Sequence, residues 1–132
     1  MSKIQITSST PVLYVERIEP AVEFWKRLGF EATTSVPEGD RLGFVILSNG
    51  KAEVMYQSFD SLAHDAPALL DAARASKTFL FVQVASLAPA RAAIAAQPIH
   101  LPERKTPYGS TEIGVREPGG HYVTLAEFAS GS

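Results

Sequence analysis

The sequence predicts an α+β protein built from two βαβββ modules whose mixed sheets form a cleft. An internal repeat is the first observation behind this. V-x-x-I-x-P-A at Val15–Ala21 returns as V-x-x-L-x-P-A at Val84–Ala90, 69 residues further on. The second is that each copy follows an apolar, strand-like run and opens a helical pattern. The third is the end of the repeat: Gly50 and Gly120, 70 residues apart, both sit in turn signals ahead of a final strand.

The first module spans about 8–58. Pro11-Val12-Leu13-Tyr14-Val15 is β-branched and aromatic, a good strand. Ile18, Ala21, Val22, Trp25 and Leu28 then recur at three-to-four-residue spacing and share one helical face, which places Trp25 in the core. Pro20 fits the first helical turn, where its missing N–H costs nothing, and Gly29 fits the end of the helix. Strands follow over 30–36, 41–47 and 52–57, separated by Pro37-Glu38-Gly39-Asp40 and by the hairpin signal Asn49-Gly50. Residues 61–76 are rich in Ala and Leu and predict one linking helix.

The second module spans about 77–128. Its opening strand covers 79–84, and Leu87, Ala90 and Ile94 make the helical stripe that Pro98 brings to a stop. Strands over 99–101, 111–116 and 122–128 complete it, with Pro118-Gly119-Gly120 as the last turn.

At 132 residues, 45% hydrophobic and 20% charged, the chain reads as one globular domain over 1–132. Its net charge of −2 comes without any basic stripe, which argues against a general nucleic-acid binder. The absence of cysteine excludes disulfides, thiol nucleophiles and cysteine-held metal. No apolar run reaches the ~18 residues of a membrane span, and the first residues carry no leader-like apolar region, so a cytoplasmic protein is expected.

Pro11-Val12-Leu13, Ala21-Val22-Glu23-Phe24-Trp25 and Arg27-Leu28-Gly29-Phe30 resemble the opening strand and helix of bleomycin-resistance proteins. Thr106-Pro107-Tyr108-Gly109 and Val115-Arg116-Glu117-Pro118-Gly119-Gly120 resemble their closing segment. The resemblance covers nearly the whole chain. It is to the vicinal oxygen chelate superfamily, which also includes glyoxalase I and extradiol dioxygenases. It implies a small-molecule ligand and a homodimer whose cleft is completed by the partner chain. Metal enzymes of that superfamily take ligands from the first and last strand of each module. Those positions fall here at Thr10, Phe79, Thr124 and Val54, or Glu53 if the register slips by one. Phe79 and Val54 offer a metal no lone pair, so no metal and no cofactor is expected.

Strand alternation then assigns faces. With Thr10 and Phe79 toward the cleft, Val12, Tyr14, Phe81 and Gln83 join them, as do Val54, Tyr56, Tyr122, Thr124 and Ala126. Leu13, Val15, Leu80, Val82 and Val84 face the helices, and Glu53 falls awkwardly on that side. The candidate ligand-binding residues are Tyr14, Tyr56, Phe79, Phe81, Tyr122 and Thr124, with Tyr108 added by the resemblance. The expected function is metal-independent sequestration of an aromatic or amphipathic compound. The alternative is a glyoxalase-like lyase, isomerase or dioxygenase holding a divalent metal at displaced ligands: Glu53, His100, Glu112 and His121. His64, His100 and His121 otherwise read as surface or capping residues. Ser110-Thr111-Glu112 shows no nucleophile–base pattern, and the isolated glycines make no phosphate loop.

Overall fold

The computed structural model describes residues 4–129, so the single-domain reading over 1–132 ends outside the described residues on both sides. Strand β1 (Val12–Val15) leads into helix α1 (Glu19–Arg27), which crosses over the sheet so that β1 runs parallel to β4 (Ala52–Ser58). Strands β2 (Glu31–Glu38) and β3 (Arg41–Asn49) fill the rest in antiparallel fashion, giving the order β1-β4-β3-β2. Pro20 lies in the first turn of α1, and Gly29 leaves the helix at φ +89°, a conformation that favours a residue without Cβ.

The second module repeats this plan with β5 (Phe79–Gln83), β6 (Ile99–Lys105), β7 (Ser110–Arg116) and β8 (Tyr122–Phe128) in the order β5-β8-β7-β6. Strand β6 runs well past the predicted end at 101, even though Pro102 cannot donate to a ladder. It is an edge strand, and a register shift against β7 between Leu101 and Arg104 spans that proline, which removes the conflict.

Between the modules, the single helix expected over 61–76 is instead α2 (Phe59–Asp65), a 3-10 turn at Pro67–Leu69 and α3 (Leu70–Ala75). The cause is Pro67, whose ring drives the preceding residue out of the helical region; Ala66 sits at φ −148°, ψ 70°. Ser58 caps α2 by accepting the Ser61 N–H at 3.1 Å.

Both modules share one core. Leu13, Val45 and Leu47 from the first sheet meet Trp25 of α1, Ile94 beyond α4 (Leu87–Ala93) and Val115, Val123 and Leu125 from the second sheet. Trp25 lies at its centre, edge-on to Phe24 at 5.2 Å and to Phe30 at 4.7 Å. The parallel register pairs Leu13 with Tyr56 and Val12 with Met55. Tyr56 and Val54 therefore face the core, while Glu53, Met55 and Gln57 lie on the open side. That corrects the predicted β4 register by one residue and removes the misplaced Glu53.

Candidate functional site: an aromatic sheet face

Cross-strand partners point to the same side of a sheet. In the second sheet Phe79 pairs with Tyr122, and Phe81 with Thr124. Strand β7 adds Gly114 opposite Thr124 and Arg116 opposite Tyr122. Leu80, Val82, Val123 and Leu125 occupy the other side, against the core. Phe79, Phe81, Tyr122 and Thr124 are thus brought together on one face, as the alternation predicts. The Phe79 ring stacks on Tyr122 at 4.8 Å with an interplanar angle of 11°. His100 meets Tyr122 edge-on at 4.9 Å. Phe128, absent from the sequence-derived set, links the two ends, 6.4 Å from Phe81 and 6.3 Å from Tyr108. Phe79, Phe81 and Tyr108 remain 76%, 54% and 60% exposed. Exposed apolar side chains grouped on one sheet face are a feature of binding surfaces.

One carboxylate lies buried in this face. Glu112 accepts from Tyr108 Oη at 2.8 Å, Ser110 Oγ at 2.9 Å and an Arg104 guanidinium nitrogen at 3.2 Å. Burial pushes its pKa up, but these three donors outweigh burial and hold it below the ordinary carboxylate value of 4.5. The ionised group in turn anchors Tyr108 against the sheet. The alternation Ser110-x-Glu112 is the signal in the sequence that these two share a side; Tyr108 reaches them from the turn ahead of β7.

Tyr14 lies on the open side of the first sheet, apart from the second-sheet cluster. Tyr56 faces the core and not the open side of its sheet. It is fully buried, accepts the Trp25 Nε1–H at 2.9 Å and donates to Glu117 Oε2 at 2.5 Å. Burial first, and then the adjacent Glu117 carboxylate, push its pKa well above 10.0.

The residues suspected of holding a metal are spread through the fold. Glu53, on the open side of the first sheet, accepts from Thr10 Oγ1 at 2.8 Å and Ser48 Oγ at 3.3 Å. His100 and Glu112 belong to the second sheet. His121 is buried at the module boundary, which corrects its reading as a surface or capping residue. Its Nδ1 accepts the Thr78 N–H at 2.9 Å and its Nε2 donates to the Tyr14 carbonyl at 2.9 Å. Both ring nitrogens are thereby occupied. His64 is exposed and pairs with Glu38 at 2.8 Å. Among the described residues, no three His, Asp or Glu side chains gather where they would hold a metal ion.

A concavity of about 420 Å³ lies at the junction of the modules on the core side of β5, away from Phe79 and Phe81. Leu28 and Phe30 line it from the first module, and Val82, Val84, Ala90 and Leu125 from the second. Because its walls come from both modules, no local sequence pattern announces it.

No protein-family model and no curated protein matches the chain. Solved structures do. A glyoxalase/bleomycin resistance protein/dioxygenase from Nocardioides is 17% identical, with a TM-score of 0.70 over 99% of this chain and 89% of that one. A bleomycin-binding protein complexed with bleomycin is 19% identical, with a TM-score of 0.64 over 94% of this chain and 100% of that one. A lactoylglutathione lyase from Agrobacterium tumefaciens is 16% identical, with a TM-score of 0.68 over 93% of this chain and 95% of that one. The chain therefore has the glyoxalase/bleomycin resistance/dioxygenase fold, a scaffold that carries more than one function.

Proposed function

We propose that, on this fold, the chain binds a planar aromatic or amphipathic small molecule against the open face of the second sheet and sequesters it without turnover. A second copy of the chain closes over the ligand, and neither a metal nor a cofactor takes part. The observation that carries this reading is the exposed aromatic face itself. Phe79 and Tyr122 are already stacked, Phe81 stands in solvent on the same face, Tyr108 stands exposed at its far end beside Phe128, and the floor is a sheet backed by the core. A flat ligand laid on such rings gains about 0.5–1.5 kcal/mol per ring contact beyond the area it buries. The bleomycin complex among the structural neighbours supports the use of this scaffold to hold a small molecule.

The test is calorimetric titration of the protein with 2-naphthamide, a neutral planar probe. Saturable binding is expected, with loss of binding and little change in melting temperature in a Phe79→Ala/Phe81→Ala variant, since both rings are exposed. Failure of the probe to bind would overturn the reading. A melting temperature raised by Ni²⁺ or Zn²⁺ and restored by chelator would replace it with the metal-dependent enzyme, because any ligand of the native state stabilises it by mass action. Sedimentation of the native protein tests the dimer.

A further inference from the structure

The aromatic face has a cationic end. Lys77 precedes Phe79 by two residues, Gly120 precedes Tyr122 by two, and Arg116 lies directly across the ladder from Tyr122. The side chains of Lys77 and Arg116 converge on Gly120. A Cβ at that glycine would lie 3.2 Å from Lys77 Nζ and 3.5 Å from an Arg116 guanidinium nitrogen.

Among the described residues neither cation is ion-paired with a carboxylate. The neighbouring Glu117 carboxylate is turned inward, where Tyr56 Oη and the His121 N–H hold its two oxygens. Two like charges brought to one point repel, and an anion between them converts that repulsion into attraction. The guanidinium also offers a planar fork suited to a carboxylate. Residues two apart on a strand are separated by about 6.6 Å, within the length of a bicyclic aryl carboxylate. An acid seated beside Gly120 would thus lay its rings over Phe79 and Tyr122.

We infer that the ligand is a planar aromatic anion, in the simplest case an aryl carboxylate, whose charged group sits between Lys77 and Arg116. The inference rests on the reading of the aromatic face as the ligand site, and adds to it the charge and the orientation of the ligand.

Two probes with the same ring system separate the claims: 2-naphthoate and neutral 2-naphthamide, each titrated calorimetrically at low ionic strength. Naphthoate binds about five- to tenfold tighter than naphthamide, a modest factor because both cations are exposed. Added salt narrows the gap by screening. In a Lys77→Met/Arg116→Met variant, naphthoate falls to the affinity of naphthamide while naphthamide is unchanged, which also shows that the variant is folded. Equal affinity for the two probes in the native protein, or a preference that survives in the variant, overturns the anion assignment and leaves the aromatic site standing. Failure of both probes to bind overturns the site and the assignment together.

Discussion

Tyr56 on β4 donates its phenolic hydrogen to Glu117 in the turn before β8, at 2.5 Å, and the bond crosses the boundary between the two modules. The same phenol oxygen accepts from Trp25 Nε1, while the other Glu117 oxygen accepts from the His121 N–H at 2.7 Å. A line of polar contacts therefore runs through an otherwise apolar core, from α1 to the last turn of the chain. Every member is buried, so each depends on the others for its partners.

Tyr56→Phe tests that line directly. It keeps the ring but leaves the Trp25 N–H without an acceptor and one Glu117 oxygen without a donor. Unpartnered buried polar groups cost about 1–3 kcal/mol each. The variant should lose about 2–4 kcal/mol in urea denaturation at neutral pH, with ligand binding on the distant sheet face retained.

The same residue predicts a slope in alkali. Tyr56 holds its proton well above 10.0 in the folded protein because burial, and next Glu117, disfavour the phenolate. The unfolded chain releases that proton near 10.0. The contribution is fully present below this value and is lost as pH rises through it toward the folded pKa. Native stability should fall more steeply than that of Tyr56→Phe above about pH 10, by up to about 1.4 kcal/mol per pH unit. Parallel slopes for the two proteins in denaturant titrations would sink this account.

The repeat, the strand–helix order and the central place of Trp25 were legible because each depends on local period. The face of β4 was not. Val54 and Tyr56 suit either a core or an aromatic cleft, and only Glu53 protested; the pairing of Tyr56 with Leu13 is what decides. Pro67 breaks the segment whose Ala- and Leu-rich composition alone reads as one helix. His121 gave no local sign of burial, since the carbonyl it meets belongs to Tyr14, 107 residues earlier. The convergence of Lys77 and Arg116 on Gly120 likewise exists only once β5 and β7 flank β8.

His121→Phe should separate packing from hydrogen bonding at the module boundary. A phenyl ring fills much of the same volume but neither accepts from Thr78 nor donates to the Tyr14 carbonyl. Loss of about 1–3 kcal/mol is expected from two half-buried groups left unpartnered. Hydrogen exchange gives a local readout: the Thr78 amide, now unprotected, should exchange far faster than its neighbours in β5.

Glu112 predicts the acid side. Burial opposes its ionisation, but Tyr108, Ser110 and Arg104 prevail and depress its pKa below 4.5 in the folded state. For a carboxylate depressed by folding, the stabilisation is present above the unfolded value of 4.5 and is lost as pH falls through the folded one. Native stability should therefore decline more steeply than that of Glu112→Gln as pH falls below about 4.5. A Tyr108→Phe variant, with one donor removed, should fall between the two in the same denaturant series.

Gly119→Ala should be destabilising through lack of space. A Cβ at this position would stand 2.4 Å from Val15 Cγ1 and 3.1 Å from each Glu117 carboxylate oxygen. Val15 is buried in the core, and the carboxylate is fixed by Tyr56 and the His121 N–H, so neither neighbour yields cheaply. Overpacking of this kind costs about 1–3 kcal/mol. Pairing the substitution with Val15→Ala removes the closest obstacle, so the double variant should be less destabilised than the two single effects added together. Strict additivity in a denaturant double-mutant cycle would show that the turn before β8 relaxes away from β1. It would also show that the close approach of the two modules at this point is not what excludes a side chain.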